Sequence, residues 1–251
     1  MKELFRLKNT SLYFGDNAVI KEADLTIRKG RITCVIGPSG AGKSTLLRSL
    51  NRMNDLMTGF HHKGFILYNK RDIYAKELRP EVLRQRVGLV SQKPCLFPGS
   101  IHSNVIFGIR HIKEKKREGL NVIAERALRA VGLWDEVRGR LGSPALELSA
   151  GQAQRLAIAR ALAVGPEALL LDEPTSALDH RSARAIEKLV QELSGKMTVV
   201  MVTHRLEQAK TLADDLIFVC DGKICEAGEA ETIFNHPENI ETRCYIEPEA
   251  C

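Results

Sequence analysis

The residues Gly37-Pro38-Ser39-Gly40-Ala41-Gly42-Lys43-Ser44-Thr45 fit the pattern G-x-x-x-x-G-K-[ST], a loop that cradles phosphate. Its glycines let backbone N–H groups converge on phosphate oxygens. Lys43 is placed to reach the β- and γ-phosphates of a nucleotide, and the Ser44 hydroxyl to ligate Mg²⁺. Thr45 supports the loop. The chemistry requires a strand before the loop and a helix after it. Residues 31–36 form a short apolar run rich in β-branched side chains, and residues 46–58 read as a helix. The positive end of that helix would add to the attraction for an anion.

A second set of chemical residues follows an apolar run. Residues 168–171 read as a buried strand that ends in Asp172-Glu173-Pro174. Asp172 is placed to bind Mg²⁺, directly or through water, and Glu173 to orient or deprotonate an attacking water. Burying two adjacent acids is costly unless a metal or a reaction uses them. The alternative is a capping cluster for the next helix. Three further positions end strands or open helices. Gln92 follows the run at 87–90, where its amide could sit near a metal, a water or open solvent. His204 follows the run at 198–202 and could donate to a γ-phosphate or be a satisfied structural residue. Ser149, in Leu148-Ser149-Ala150-Gly151-Gln152, is a good N-cap type for a helix over 153–162. A serine and a glycine at a helix start can also make an anion site.

The elements that position these residues read as follows. Residues 3–36 alternate in hydrophobicity between turn signals, which predicts several short antiparallel strands leading into the loop strand. Within them, Tyr13 and Phe14 could stack on a base or fill a sheet core. A small hairpin is expected over 64–73. From about 98 to 144 no parallel-strand pattern occurs, and helices over 101–107, 120–131 and 133–138 predict an inserted helical subdomain. The charge run at 113–118 reads as a solvated segment. After the acids, Ser176-Ala177-Leu178-Asp179 precedes a helix through 184–193; another helix over 206–212 and strands over 216–220 and 224–226 close the core. Residues 229–251 read as a short helix and a loosely held tail. The expected fold is α/β: a P-loop NTPase core of the RecA-like type with a mostly parallel sheet, an N-terminal antiparallel β subdomain and an inserted α-helical subdomain. In an open sheet of this kind ligands bind at the carboxyl ends of the strands.

Bulk properties narrow the class. The 251 residues suffice for a sizeable core, and 44% hydrophobic with 27% charged residues is ordinary for a globular chain. A net charge of +6 suits an anionic ligand or a negatively charged membrane face. With aromatics at 5% and one tryptophan, base-stacking platforms are scarce, and no nucleic-acid partner is expected. The six cysteines form no C-x-x-C pair and read as reduced thiols of a cytosolic protein. The N-terminus has no apolar signal core, and no apolar run is long enough to span a bilayer, so any membrane role is peripheral.

Taken in order, residues 37–45, Gln92, 148–152, 171–173, 176–179 and His204 resemble the ATP-binding cassette (ABC) ATPases over nearly the whole chain. The resemblance implies one ATPase domain over 1–251, with 1–92 and 148–251 forming the core and 93–147 the helical part. It implies ATP and Mg²⁺ as ligands. It also implies a homodimer in which each ATP lies between two chains. One protomer would supply Lys43, Ser44, Gln92, Asp172, Glu173 and His204. The other would supply the signature residues Ser149, Gly151 and Gln152. Asp179 matches the dimer-interface aspartate, Gln92 the metal- and interface-sensing glutamine, and His204 the switch histidine. Family members stack adenine on an aromatic that precedes a glycine; Phe14 before Gly15 matches, with Tyr13 in reserve. The signature departs in one place: Ala150 stands where the family has a first glycine, which puts the hydrolysis rate in question. A narrower resemblance, carried by Asn51-Arg52-Met53-Asn54-Asp55-Leu56, Gln92-Lys93-Pro94 with Phe97-Pro98, and Ala161-Leu162-Ala163-Val164 before the acids, is to the ATPase subunits of bacterial phosphate importers. It implies uptake of phosphate, or of another anion or an amino acid, through integral-membrane permease subunits fed by a solute-binding protein. The place implied is the cytoplasmic face of the inner membrane. A soluble ABC ATPase not coupled to transport is the alternative.

Overall fold

The computed structural model describes residues 2–110, 112 and 119–250. In chain order the strands are β1 (Glu3–Phe14), β2 (Asn17–Arg28), β3 (Ile32–Ile36), β4 (Phe60–Tyr68), β5 (Arg71–Asp72), β6 (Val87–Val90), β7 (Ala168–Asp172), β8 (Thr198–Val202), β9 (Asp215–Cys220) and β10 (Lys223–Glu229). The α-helices are α1 (Lys43–Ser49), α2 (Pro80–Arg86), α3 (Ile101–Ile106), α4 (Leu120–Ala130), α5 (Trp134–Val137), α6 (Ala150–Ala163), α7 (His180–Leu193), α8 (Leu206–Leu212), α9 (Ala230–Asn235) and α10 (Ile240–Ile246).

Two sheets face each other. One is a four-stranded antiparallel sheet ordered β2-β1-β4-β5; the other has six strands ordered β10-β9-β3-β8-β7-β6. In the second, β9, β3, β8, β7 and β6 run parallel and only the β10 edge is antiparallel. The continuous apolar runs in the sequence follow from this placement, because a central parallel strand is covered on both faces. Side chains alternate between two cores. Cys34, Leu169, Leu171, Val199, Met201 and Phe218 share one core with the helices α3–α9. Val35, Leu170, Val200, Val202 and Ile217 face the antiparallel sheet with Leu4, Phe5, Leu12 and Leu46. A one-residue slip in any of these strands would exchange its two faces.

The structure differs from the sequence-based expectation in four places. The N-terminal region forms two strands of twelve residues each, not several short ones. Register shifts around Thr10 and left-handed backbone at Asn9 (φ 43°) and Glu22 (φ 46°) bend the strands without ending them. The helix after the phosphate loop stops at Ser49 instead of near residue 58. Arg52 is left-handed (φ 61°), and the buried Asn54 donates back to the Thr45 carbonyl and the Ser49 hydroxyl, which competes with helical bonding. The segment beyond 229 is docked, not loose: Thr242 is fully buried and Tyr245 packs on Phe218 with ring centroids 5.2 Å apart. Cys244 is disulfide-bonded, so the expectation of reduced thiols fails there, while Cys34, Cys95, Cys220 and Cys225 are free. Burial pushes the Cys34 thiol up to about 12, which makes it inert. The charge run at 113–118 and Cys251 lie outside the described residues.

Candidate functional site

Because β3, β8, β7 and β6 are parallel neighbours, their carboxyl ends share one sheet edge. That edge presents, in order, the loop after Ile36, Thr203-His204 after Val202, Asp172-Glu173, and Ser91-Gln92 after Val90. Topology alone thus gathers four segments that are far apart in sequence.

The phosphate loop begins at Gly37, whose φ is +143°. A Cβ there would run into the Val219 carbonyl of β9, so only glycine fits. The loop wraps a cleft of about 290 Å³ lined by Val19, Ser39, Gly40, Gly42, Lys43, Ser44, Thr45 and Glu173. Lys43 is 6% exposed, and its Nζ donates to the carbonyls of Gly37 (2.8 Å) and Pro38 (2.7 Å). Burial lowers the Lys43 pKa, and the nearby charges of Glu173 and Asp172 oppose that shift. Ala41 is buried against the core beneath the loop. Asp172 is 2% exposed and has a partner on each oxygen: the Ser44 hydroxyl donates to Oδ1 (2.7 Å) and the Arg48 guanidinium to Oδ2 (2.8 Å).

Glu173 is the most constrained residue of the edge. Its backbone is left-handed (φ 46°), a conformation that costs a non-glycine residue about 1–2 kcal/mol. The Glu173 N–H donates to the Val202 carbonyl at 3.0 Å, and its carbonyl accepts from the Ser176 N–H at 3.2 Å. Its Oε2 accepts from the Gln92 amide (3.1 Å) and pairs with His204 Nδ1 (3.1 Å). Gln92 also donates to the Ser176 hydroxyl at 3.1 Å. Glu173, Gln92 and His204 thus form one hydrogen-bonded group beside the cleft.

The expected base platform lies at the end of β1. Phe14 packs on Phe60 (5.5 Å between centroids), while Tyr13 is stacked on His61 at 4.8 Å with the Lys63 ammonium 5.4 Å from its ring centre. Neither lines the cleft; Val19 does, and nothing in the local sequence marked it. The cleft lining also contains none of Ser149, Gly151, Gln152 or Asp179. Ser149 and Gln152 form a reciprocal capping box at the start of α6, and the Gln152 amide reaches the Glu136 carboxylate at 2.8 Å. Burial pushes the Glu136 carboxyl up, but hydrogen bonds from Arg155 and Gln152 outweigh it and hold the pKa below the usual value. Asp179 caps α7, accepting from the Arg181 and Ser182 N–H groups; the Ser182 hydroxyl, then those N–H bonds, lower its pKa.

Gly151 has a local role that its motif did not reveal. A Cβ on it would run into the Ser182 side chain, so α6 and α7 approach each other there. Gly151→Ala should therefore overpack the contact by about 1–3 kcal/mol. The melting temperature should fall by several degrees, and Ser182→Gly should restore most of it, as read by thermal unfolding. An unchanged midpoint in the single variant would contradict the close approach.

A larger cavity, of about 480 Å³, lies away from this edge and is lined by Arg28, Asp215 and Glu229 among others. Its charges pair with one another, Arg28 with Asp215 and Glu229. Its lining contains no residue of the phosphate loop and none of Gln92, Asp172, Glu173 or His204, so size does not decide the site.

The family model described as ABC transporter matches residues 20–176, which contain the phosphate loop, Gln92, the capped helix and both acids. The chain belongs to the ABC transporter family. It is 46% identical over 246 residues to a phosphate import ATP-binding protein of Thermotoga maritima, covering 98% of both chains. It is 47% identical to the protein of the same name from Shewanella denitrificans, covering 96% of this chain and 88% of that one. Among solved structures, cbiO1 of Clostridium perfringens, part of the ABC transporter complex cbiONQ, superposes with a TM-score of 0.81 at 27% identity, covering 100% and 98% of the two chains. A bacterial Atm1-family ABC exporter with ATP bound shares the fold at the same TM-score.

As an ABC ATPase the chain binds ATP with Mg²⁺ and hydrolyses it. The residues present fit both groups. The cleft is bordered by Gly40, Gly42 and the only cationic side chain of its lining, Lys43, which suits phosphate. The Ser44 hydroxyl, the Asp172 carboxylate and the Gln92 side chain are hard oxygen donors, which suits Mg²⁺.

Proposed function

We propose that this ABC ATPase powers the import of inorganic phosphate. It works as a homodimer on integral-membrane permease subunits that receive the solute from a solute-binding protein. The observation that carries the solute is the 46% identity to the Thermotoga phosphate import protein across 98% of each chain. The reading places the subunit peripherally at the cytoplasmic face of the inner membrane. Among the described residues no helix is long and apolar enough to cross a membrane, which suits attachment through the permease.

In this reading ATP places its phosphates in the cleft on residues 37–45, and its adenine extends beyond the cleft lining to Phe14. Lys43 leaves or shares its carbonyl contacts and turns its charge to the β- and γ-phosphates. Ser44, Asp172 and Gln92 would hold Mg²⁺, which when bound would supply charge to offset that developing on the transferred phosphoryl group. Glu173 orients the attacking water and takes its proton. Gln92 and His204 hold its Oε2, and the left-handed backbone aims the side chain. Ser149, Gly151 and Gln152 of the second protomer, with Asp179 at the seam, complete the site over the γ-phosphate. Residues 1–92 and 148–251 act as the catalytic part, and 93–147 carry the motion to the permease.

The test is ATP turnover by the purified transporter in liposomes, with the solute-binding protein loaded in turn with phosphate, another anion or an amino acid. Phosphate should stimulate turnover and accumulate inside. Stimulation by a different solute alone would overturn the phosphate assignment, and turnover indifferent to permease and solute would overturn the transport assignment.

A further inference from the structure

The C-terminal helix α10 reaches the phosphate loop. The Tyr245 hydroxyl donates to the Gly37 carbonyl at 3.1 Å, although 208 positions separate the two residues. That carbonyl is also one of the two that receive Lys43 Nζ. A carbonyl oxygen has two lone pairs, so Tyr245 and Lys43 together saturate it. Several features hold Tyr245 in place. Its ring packs on Phe218 of β9, Thr242 one turn earlier is fully buried, and Asn239 caps the helix through the Glu241 and Thr242 N–H groups. Burial pushes the Tyr245 phenol above its ordinary range, so the hydroxyl keeps its proton and remains a donor. Gly37 is pressed from the other side by the Val219 carbonyl. The first residue of the loop is thus fixed between strand β9 and helix α10.

We propose that Tyr245 is a positioning residue for the phosphate loop: through its bond to the Gly37 carbonyl it fixes the loop start and the oxygen that Lys43 leans on, and so preorganises the nucleotide site. The inference rests on the reading of residues 37–45 as the nucleotide loop. The physical argument is that a loop already held in its binding shape loses less freedom when the phosphates arrive. The Tyr245 hydroxyl touches no substrate in this scheme. Its effect should therefore fall on affinity and leave the chemical step alone.

The test uses the full chain with Tyr245→Phe, which keeps the ring on Phe218 and removes only the donor. A fluorescent ADP derivative is titrated without permease. One net hydrogen bond corresponds to about a 2–10-fold change in an equilibrium constant. The Kd for the ADP derivative should rise by that factor, while kcat at saturating ATP stays within twofold of wild type. Amide hydrogen exchange at residues 39–42 should quicken. A purely structural role would instead lower the melting temperature with Kd unchanged, and that result overturns the proposal, as would tighter binding. If the wild-type chain itself fails to bind the ADP derivative, the nucleotide-loop reading is what has failed. If wild type binds and Tyr245→Phe binds equally, only the positioning role falls.

Discussion

Glu173→Gln abolishes turnover and leaves ATP bound. Hydrolysis should fall by about 10²–10⁴-fold, the usual contribution of a positioned general base. The amide is nearly isosteric and can still accept from Gln92 through its oxygen, so the fold and the left-handed backbone should persist. The partner most disturbed is His204, whose Nδ1 now faces either an amide oxygen or an amide NH₂. Because the phosphate cradle is untouched, binding should remain while the chemical step stops. The trapped species should be a dimer with unhydrolysed ATP at the seam. Turnover by phosphate release and oligomeric state by size-exclusion chromatography with ATP check both halves. Normal turnover in this variant would remove Glu173 from the role of base.

Lys43→Ala has the second largest expected effect, and here binding falls together with the rate. Lys43 is the buried cation of the cleft lining; in the proposed site its ammonium turns from the Gly37 and Pro38 carbonyls to phosphate, and charge-assisted bonds to phosphate are the strong ones. Its loss should weaken ATP binding by about tenfold or more, a change of about 1.4 kcal/mol per factor of ten. Hydrolysis should fall further still, since the same ammonium offsets charge that grows in the transition state. The carbonyls of Gly37 and Pro38 lose their donor as well, although Tyr245 still satisfies the first. Isothermal titration with ATP and a turnover assay separate the two effects. Retained affinity and retained rate together would contradict the placement of the phosphates beside Lys43.

Much of this site was legible because strand ends are legible. Ile36, Val202, Asp172 and Val90 each close an apolar run, and the residue types that follow are wrong for a core. Parallel pairing then does the rest, placing Gly37, His204, Glu173 and Gln92 on one edge. What stayed hidden depends on contacts between distant segments. Arg48 meets Asp172 because it lies one turn after Ser44 on the same face of α1; the i, i+4 spacing was available but pointed to no partner. Tyr245 meets Gly37 across the chain, and the polar run around it resembled a tail. The strain at Glu173 could not be read at all, since φ is set by how Val202 and Ser176 hold its backbone. The two long N-terminal strands look like several short ones in sequence because the irregular residues Asn9 and Glu22 mimic turns.

The central claim is that each ATP is enclosed by the loop of one chain and the capped α6 start of another. Within one chain the cleft lining contains no residue of that helix start. Mixed dimers test it directly. One chain carries Lys43→Ala, the other Ser149→Arg, and the two are purified together by different tags. If the site is shared, both lesions fall in one site and the second site is wholly intact. The mixed dimer should then occlude one ATP, whereas either homodimer occludes none. If the loop and the helix start act within a single chain, every site in the mixture is damaged, and a mixed dimer that holds no ATP would contradict the account.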